Sequence, residues 1–498
     1  MAGLSRSAEL GRPGADPIPV TRTGVELRPD RRRVILKPFL PDDQVFPDDG
    51  MLDRILAIPE DEVSSTLADA CKRFEDRHLD LNDILEQHFR FVDRQAGGLP
   101  GVSADRRLLI GAYYTNEYSI EAAALTNPSI VLAPDQSGLD PGAQRFILSL
   151  RGIGEGHISS IQFRAGVVDA RGGVTVEPPS RYASTGTHTP PLFEKEMFCA
   201  RLMEMEAFDR LAVDVIDQLG ERFALEELET AIAAVVGKSE TRLLPEATTR
   251  AMHWLATSNY VLTFAPESEL SQRVIFPGSS IESHGMEDAR FVRFTHEDGS
   301  VSYYATYTAY DGFRILPQLI ETADFNSFRI ETLSGDHARN KGAALFPRKI
   351  DGQYVALCRF DAESNYVMRS DNVRIWDNAE MIESPKFPWE LARIGNSGSP
   401  LETEAGWLVI THGVGPFRTY SLGAILLDID DPSRVIGHLR EPLLTPLESE
   451  RDGYVPNVVY SCGSMIHGDE LILPYGQSDT ECRIATVPLA PLLAKLAG

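Results

Sequence analysis

One strand–turn–strand unit recurs along this chain of 498 residues, and it limits the possible folds more than any other feature. In each copy a polar residue opens a short strand, a turn follows, and an apolar strand ends in a polar or charged residue. Copies begin near residues 127, 288, 341, 400 and 457, so the last four starts are 53, 59 and 57 residues apart. A period of about 40–60 residues with several strands per unit is typical of a β-propeller. Five copies predict an all-β fold, a five-bladed β-propeller.

Helical segments are expected outside the repeated unit. Residues 1–22 are rich in Gly, Pro, Ser and Arg, which predicts a disordered lead. Residues 23–112 contain short apolar strands and apolar residues at helical spacing, which predicts an N-terminal strand and helical extension. The propeller is expected over residues 113–498, with a helical insertion at about 192–258 that lies at the mouth of the central channel or in a subunit contact. The strands near Val34 are expected to complete the last blade.

A propeller places equivalent positions of every blade around one central channel. Polar residues at these positions should therefore converge on one funnel, although they are far apart in the sequence. The residues that open strands are Asn127, Asp288, Lys341 and Asn457, and those that end strands are Arg151, Arg359 and His412. The pattern predicts one carboxylate that faces several cations.

Asp288 is the candidate proton donor of this predicted site. It lies in the segment Gly285-Met286-Glu287-Asp288-Ala289-Arg290, directly ahead of an apolar run. A carboxylic acid at this place can act as a general acid, and the same residue can equally form a turn or an ion pair. Its neighbour Glu287 is expected to point the opposite way in an extended segment, with a structural or substrate-binding role.

Cationic residues are expected around the same funnel. Lys341, Arg359 and His412 suggest an oxyanion pocket, because Arg presents a planar fork and Lys a point charge to an anion. Ordinary ion pairs with the abundant acidic residues are the alternative for each of them. Asp479 follows the inner strand of the last unit and can either bind ligand hydroxyl groups or occupy a turn. Tyr420 is more typical of a blade core than of the funnel wall.

Charge and cysteine content restrict the class of protein further. The chain carries 48 Lys and Arg against 73 Asp and Glu, a net charge of −25, which argues against a nucleic-acid partner. Five cysteines without a CxxC spacing indicate neither a disulfide framework nor a zinc site, so no metal is expected. No apolar stretch has the length of a signal-peptide core or a membrane span. The sequence therefore predicts a cytoplasmic protein with a small-molecule substrate, no membrane association, and a homo-oligomer as one option.

A set of short segments occurs in a specific order along the second half of the chain. They are 285–290, 341–347, 402–407, 411–414, 420–424, 427–432, 455–459, 475–476 and 479–480. Together these segments resemble glycoside hydrolase family 130, which contains the β-mannoside phosphorylases and β-1,2-mannosidases. The resemblance covers residues from about 115 to 498, apart from the insertion at 192–258.

The resemblance implies a five-bladed propeller and an inverting reaction on β-linked mannosides. It implies that Asp288 is the sole catalytic carboxylate and passes its proton to the glycosidic oxygen through the mannose 3-hydroxyl group. Inorganic phosphate would be the nucleophile and co-substrate, with no other cofactor. Phosphate-binding positions are matched by Lys341, Arg359, His412 and Tyr420, and substrate-binding positions by Asn127, Arg151 and Asp479, with Glu287 as a further candidate.

Three functions are compatible with these observations. The first is a phosphorylase that cleaves β-1,2- or β-1,4-linked manno-oligosaccharides and gives α-mannose 1-phosphate. The second is an inverting β-mannosidase, in which Glu402 or Glu404 would serve as general base. The third is a non-catalytic sugar-binding propeller, which would not need an acid opposed to cations. Ala289 stands where the family often has proline and Cys358 where it often has histidine, so the linkage and the acceptor sugar stay open.

Overall fold

The computed structural model describes residues 18–39, 50–237, 245–313 and 315–498. Its first elements are β1 (Thr21–Leu27), β2 (Val34–Pro38), α1 (Met51–Leu56), α2 (Glu60–Phe74), α3 (Leu81–Gln95), α4 (Ala104–Tyr113) and β3 (Thr115–Ser119). Apolar side chains recur at helical spacing in these helices, which therefore pack together around Val63, Phe89 and Ile110. Of the lead predicted over residues 1–22, residues 1–17 lie outside the described residues, and β1 begins at Thr21.

Five antiparallel sheets make up most of the remaining chain. Sheet I contains β4 (Ala124–Leu132), β5 (Gln144–Ile153), β6 (Ser159–Val168) and β7 (Val174–Val176). The insertion follows, with β8 (Thr187–Thr189), β9 (Phe193–Glu194), α5 (Lys195–Glu204), α6 (Arg210–Ile216), β10 (Arg222–Phe223), α7 (Leu225–Val236), α8 (Pro245–Thr257), β11 (Tyr260–Thr263) and β12 (Val274–Ile275). Strand β12 returns to pair with β6 in sheet I.

The other four sheets follow one another along the chain. Sheet II contains β13 (Met286–Thr295), β14 (Val301–Tyr310), β15 (Ile315–Thr322) and β16 (Ser327–Thr332), extended by β11 and β8. Sheet III contains β17 (Ala344–Leu345), β18 (Tyr354–Cys358), β19 (Asn365–Ser370) and β20 (Ala379–Glu383). Sheet IV contains β21 (Arg393–Asn396), β22 (Leu401–Thr403), β23 (Gly406–Val414), β24 (Tyr420–Leu427) and β25 (Val435–His438). Sheet V contains β26 (Val459–Tyr460), β27 (Met465–His467), β28 (Glu470–Gln477), β29 (Glu481–Pro488) and β1, and α9 (Leu489–Ala497) follows it.

The five sheets contact one another in a circular order. Strand β4 contacts β13, β14 contacts β17, β18 contacts β21, β24 contacts β26, and β28 contacts β4 again. Sheet V is completed by β1, since Thr21 pairs with Thr486 of β29. The expectation that the strands near Val34 complete this sheet is wrong, because β2 pairs with β3 instead. The described part of the chain is rich in β-structure, as predicted, and holds nine α-helices, of which α1–α4 belong to the predicted N-terminal extension, α5–α8 to the predicted insertion, and α9 was not predicted.

The insertion is helical, as expected, and has its own apolar core, which includes Phe198, Leu202, Leu228 and Met252. It attaches to the outer part of sheet II. The amide of Thr332 in β16 donates to Asn259 Oδ1 at 2.8 Å, and the amide of Gly335 donates to Glu204 Oε1 at 2.9 Å. Strands β14 and β15 separate β16 from β13. These contacts therefore place the insertion at the edge of sheet II opposite β13. Its expected location at the mouth of a central channel or in a subunit contact stays a prediction.

A buried ion cluster joins sheets III and IV. His438 at the end of β25 pairs with Glu383 at the end of β20, and its Nε2 lies 3.8 Å from Glu390 Oε2. Both carboxylates are buried. Burial works to lower the pKa of His438, but the hydrogen bonds and charges of Glu383 and Glu390 outweigh it and raise the pKa to about 9. The imidazole ring is therefore charged in the folded protein at neutral pH.

Folding stability should fall at alkaline pH because His438 loses its proton. Its pKa is about 9 in the folded state against an ordinary value of 6.5, so its stabilising effect is complete below about pH 6.5 and is lost as the pH rises through 9. We expect a loss on the order of 2–3 kcal/mol in the wild type between pH 6.5 and pH 9.5. His438→Gln should lose much less, whereas His337→Gln, at an exposed site, should follow the wild type. Denaturant unfolding at several pH values across this range measures the free energy of unfolding of each protein. The same pH dependence in the wild type and in His438→Gln would contradict the prediction.

Candidate active site

Residues at the inner edges of the five sheets share a left-handed backbone conformation. The φ angle is 48° at Asn127 in β4, 55° at Asp288 in β13 and 62° at Asn457 ahead of β26. Glycines occupy the corresponding places in sheets III and IV, with φ angles of 98° at Gly342 and 120° at Gly398. Such a conformation is uncommon for other residue types, and it clusters at functional sites. The same local geometry thus recurs in every sheet.

Asp288 is held by side chains from two other sheets. Asn127 Nδ2 of sheet I donates to Asp288 Oδ1 at 2.8 Å. The Tyr460 hydroxyl group of sheet V lies 3.4 Å from Asp288 Oδ2 and donates to it. Both carboxylate oxygens therefore have a donor, which fixes the orientation of the group that the sequence singles out as an acid.

Arg290 connects this carboxylate to the remaining sheets. Its side chain is 2% exposed. It donates to the backbone oxygens of Gly342 and Asn396 at 3.0 Å each, and to the Tyr460 hydroxyl group at 2.8 Å. Gly342 precedes β17 in sheet III and Asn396 ends β21 in sheet IV. Asp288 and Arg290 are thus the centre of a network to which all five sheets contribute.

Glu287 lies between two cations. Arg151 Nη2 donates to Glu287 Oε1 at 2.7 Å, and the Lys341 ammonium group donates to Oε2. Burial works to raise the pKa of Glu287, but the charges of Arg151 and Lys341 outweigh it and lower the pKa below its ordinary value. The pairing of β13 with β14 shifts register between Glu287 and Arg290, so simple alternation of side chains does not hold there.

Arg359 and His412 are in direct contact, as their equivalent positions predict. Arg359 Nη1 lies 2.9 Å from His412 Nε2. Burial, followed by the charges of Arg359 and Arg290, lowers the pKa of His412 well below its ordinary value, so the ring is neutral. Nε2 then accepts from the arginine, and Nδ1 carries the proton toward Ser397 Oγ at 3.3 Å. Arg359 Nε is buried and has no hydrogen-bond partner among the described residues.

Lys341 departs from the expected arrangement. The repeat predicts Lys341, Arg359 and His412 around one point, but the Lys341 ammonium group is bonded to Glu287 instead. The next residue, Gly342, is the one that approaches the guanidinium groups. The Lys341 side chain therefore reaches Glu287, whereas the backbone of the adjacent Gly342 lies next to the guanidinium groups. The structure brings two of the three predicted cations into contact with each other.

Tyr420 packs against the buried cluster of Val458, Tyr460 and Cys462 and lies beside His412. Its ring is nearly parallel to that of His412, with 6.2 Å between the ring centroids and 16° between the planes. Tyr460 lies 6.3 Å from Tyr420 and 4.9 Å from His412, in both cases edge to face. The three rings form one wall next to Asp288 and Arg359.

Asp479 is a second carboxylate near Asp288. Its Oδ1 accepts a hydrogen bond from Thr126 Oγ1 at 3.3 Å. Burial raises the pKa of Asp479, the charge of Arg151 opposes this, and the charge of Asp288 adds to it. Its φ angle of 48° gives it the same left-handed backbone as Asp288. Asp479 therefore shares the electrostatic environment of the candidate acid.

Sequence reasoning missed the roles of Arg290 and Tyr460. A usable signal existed for Arg290, because it is a charged residue in the same short segment as Asp288, directly ahead of an apolar run. No such signal marks Tyr460, whose hydroxyl group is reached only through the packing of sheets II and V. Glu402, considered as a general base, pairs instead with Arg348 at 2.8 Å on the exposed outside of the protein.

The part of the chain that the structure describes has neither a metal-ligand cluster nor a membrane-spanning helix. No group of three or more His, Cys, Asp or Glu side chains in this part of the chain could hold a metal ion. Within the same residues, no helix is long and apolar enough to cross a membrane.

Chemically, the arrangement places one oriented carboxylate beside a buried guanidinium group that has a free donor. A carboxylic acid can deliver a proton to a leaving oxygen, and a buried arginine can hold an anion with charge-assisted hydrogen bonds. Further polar groups close to Asp288 come from Glu287, Asp479, Asn127 and Arg151. Such a site suits a polar, hydroxyl-rich substrate and an anion.

Comparison with known proteins gives a consistent family. A family model described as beta-1,4-mannooligosaccharide phosphorylase matches residues 265–496. The chain is 37% identical over 215 residues to the 1,2-beta-oligomannan phosphorylase of Thermoanaerobacter sp. (strain X514), which is 42% of this chain and 70% of that protein. It is 38% identical over 213 residues to the beta-1,2-mannobiose phosphorylase of the same organism, which is 41% of this chain and 68% of that protein.

One solved structure also aligns with this chain. The beta-1,2-mannobiose phosphorylase of Listeria innocua, in complex with beta-1,2-mannobiose, aligns with 76% of this chain and 93% of its own, at 20% identity and a TM-score of 0.45. The family rests on the two sequence relatives, each matched over more than two thirds of its length at more than 30% identity. By this likeness the chain belongs to glycoside hydrolase family 130.

Proposed function

We propose that this protein is an inverting glycoside phosphorylase that cleaves β-1,2- or β-1,4-linked manno-oligosaccharides with inorganic phosphate. The observation that carries the proposal is the oriented carboxylate of Asp288 beside buried Arg359, whose Nε has no partner among the described residues. The names of the relatives support both substrates, since they are phosphorylases of β-1,2- and β-1,4-linked mannosides. The product would be α-mannose 1-phosphate.

We further infer that the five sheets are the blades of a five-bladed propeller. The circular order of sheet contacts supports this, as does the completion of sheet V by β1. The site then lies in the central funnel, where the inner edge of each blade contributes one left-handed segment. This arrangement explains why residues from five distant segments contact one another around Arg290.

In the proposed reaction a phosphate oxygen attacks the anomeric carbon of mannose from the face opposite the glycosidic bond. The glycosidic C–O bond breaks with its electron pair, and the leaving oxygen takes the proton of Asp288, relayed through the mannose 3-hydroxyl group. The anomeric carbon inverts, so a β-mannoside gives an α-phosphate ester. Phosphate is already an anion, and the reaction therefore needs no carboxylate to activate the nucleophile.

The surrounding residues have distinct roles in this proposal. Arg359 binds phosphate through Nε and its remaining nitrogen, while neutral His412 accepts from Nη1 and sets the orientation of the guanidinium plane. Tyr420 adds a hydroxyl group from the aromatic wall. Lys341 neutralises Glu287 in the free protein and would share its ammonium group with bound phosphate.

The sugar side of the site is polar and partly unsatisfied. Asn127 Oδ1 is buried without a partner among the described residues, so it is available to accept from a sugar hydroxyl group. The ion pair between Arg151 and Glu287 already orients both side chains. Asp479 adds a further carboxylate group to this part of the site. These four residues are proposed to bind mannose.

The cysteines of the chain, Cys71, Cys199, Cys358, Cys462 and Cys482, are free thiols, which supports a cytoplasmic location.

Cleavage of a mannoside by the wild type should depend on inorganic phosphate and saturate with it. The test is incubation with β-1,2- and β-1,4-linked mannobiose, each with and without phosphate, followed by NMR detection of the mannose product and its anomeric configuration. We expect α-mannose 1-phosphate to form only when phosphate is present. Free mannose released at full rate without phosphate would instead assign hydrolysis, with Asp479 as the carboxylate available to activate water.

Asp288→Asn should retain the fold and lose activity by roughly 10²–10⁴-fold, because the exchange removes only the acid. Asparagine is nearly isosteric and tolerates a left-handed backbone, so the φ angle of 55° does not disfavour it. Asp298→Asn, in an exposed turn of the same sheet, is the matched control and should keep wild-type rates. Initial rates measure the activity of the wild type and both variants, and circular dichroism spectra show whether each is folded. Near-normal turnover of folded Asp288→Asn would refute the assignment of Asp288 as the acid.

Arg359→Ala should raise the phosphate concentration needed for half-maximal rate by roughly ten- to a hundred-fold, since one charge-assisted contact is lost. The KM for the mannoside should change far less, because Arg359 lies on the phosphate side. Arg348→Ala, which breaks the surface pair with Glu402, serves as control. Rates measured over a grid of both substrate concentrations separate the two constants. An equal rise in both KM values would place Arg359 outside the phosphate site.

A further inference from the structure

Phe417 is an apolar side chain at 97% exposure, on the loop between two strands that carry site residues. The loop Gly415–Thr419 connects β23, which ends two residues after His412, with β24, which begins at Tyr420. Phe417 is therefore located at the tip of a hairpin whose two strands line the site. Its aromatic face is therefore open to any ligand that extends out of the site.

The backbone of this loop has a left-handed conformation at two successive residues. Phe417 has a φ angle of 55° and Arg418 one of 57°. The loop Gly154–Ile158 between β5 and β6 of sheet I has the same form, with φ angles of 61° at Gly156 and 63° at His157. Both loops close with a bond between their first amide and last carbonyl, at 2.9 Å and 3.0 Å. Glycine suits this position in sheet I, whereas in sheet IV a phenylalanine occupies it at an energetic cost.

A second aromatic side chain lies on the same side of the site. Tyr454 is 49% exposed, and its backbone amide donates to Thr480 Oγ1 at 2.8 Å, directly beside Asp479. Its hydroxyl group contacts His157 Nδ1 at 2.9 Å, so it is fixed to the matching loop of sheet I. The amide of Tyr420, where the Phe417 loop ends, donates to the backbone oxygen of Asn457 at 3.0 Å, which brings the loop next to the segment that carries Tyr454. Phe417 and Tyr454 thus lie on neighbouring loops at the candidate site, and Tyr454 is anchored beside the carboxylate that is proposed to bind sugar.

Exposed aromatic faces next to charged groups suit carbohydrate better than protein. A pyranose ring offers C–H groups to an aromatic face and hydroxyl groups to the polar atoms around it. Arg418, next to Phe417 in the chain, and His157, in contact with Tyr454, supply such polar atoms. A flat protein partner would instead need a continuous apolar patch, and the neighbours of these two rings include polar and charged side chains.

Building on the proposed function, we propose that Phe417 and Tyr454 form an outer subsite for sugar units beyond the two that flank the cleaved bond. The preferred substrates are then oligosaccharides of three or more mannose units, and not the disaccharide. The outer subsite adds binding energy only for chains long enough to reach the loop tips. Chain-length preference is therefore the property that these residues control.

The test compares kcat/KM for a tetrasaccharide with kcat/KM for the disaccharide of the same linkage, at saturating phosphate. In the wild type this ratio should exceed one, and in Phe417→Ala it should fall about tenfold, as expected from losing the burial of one aromatic face. Phe417→Tyr, which keeps the ring, should retain the wild-type ratio. Met381→Ala removes an exposed apolar side chain on β20 of sheet III and should also leave the ratio unchanged.

Each remaining outcome overturns one specific statement. An unchanged ratio in Phe417→Ala, with phosphate-dependent cleavage intact, refutes the outer subsite and leaves the proposed function standing. Absence of phosphate-dependent cleavage in the wild type refutes the proposed function itself, and calorimetry of the tetrasaccharide with wild type and Phe417→Ala then tests the subsite alone. Light scattering of both proteins completes the design. A change of oligomeric state in Phe417→Ala, with the ratio retained, would assign Phe417 to a contact between copies of this chain.

Discussion

The guanidinium group of Arg290 is the contact on which the geometry of the site depends. It is buried and donates to backbone oxygens of sheets III and IV and to the hydroxyl group of Tyr460 in sheet V. A buried charge is tolerated only when its donors are used and an opposite charge is close. Burial works against the charge, but neighbouring groups, Tyr460 first, raise the pKa of Arg290 above its ordinary value. Asp288, on the same strand, provides negative charge nearby and accepts from Tyr460. The candidate acid is thus also part of the electrostatic balance that holds the sheets in place.

The parts of the fold that follow from local pattern could be predicted from the sequence. Alternation and period predict the sheets, and equivalent positions in the repeat predict that Asn127 and Asp288 meet, as do Arg359 and His412. These predictions succeed because each depends on where a strand begins or ends. The helical insertion was recognisable by its apolar spacing, but its place at the outer edge of sheet II depends on the partners of Asn259 and Glu204, which no periodicity encodes.

The misplacement of Lys341 has a local cause in the backbone. Lys341 was placed beside Arg359 and His412 by its position in the repeat, yet Asn340 directly before it has a left-handed backbone with a φ angle of 63°, and the Lys341 ammonium group bonds to Glu287. A single residue with a left-handed backbone turns the following side chains to another face, and a sequence marks such residues clearly only when they are glycine, although Asn and Asp also favour the conformation. At Asn127 and Asp288 the conformation accompanies the hydrogen bond between their side chains. Tyr460 and Arg290 acquire their roles only when all five sheets are present.

The pairing of β1 with β29 has a consequence for how the molecule is made. Thr21 and Thr486 are neighbours in space, although almost the whole chain lies between them. Loop closure over such a separation has a large entropic cost, and contacts of this kind form late in folding. During translation β1 would stay unpaired until sheet V has left the ribosome. The network around Arg290 draws on all five sheets, so it too would assemble only after the residues of sheet V have been synthesised, and a nascent chain that stops before them would hold the other four sheets without a complete site.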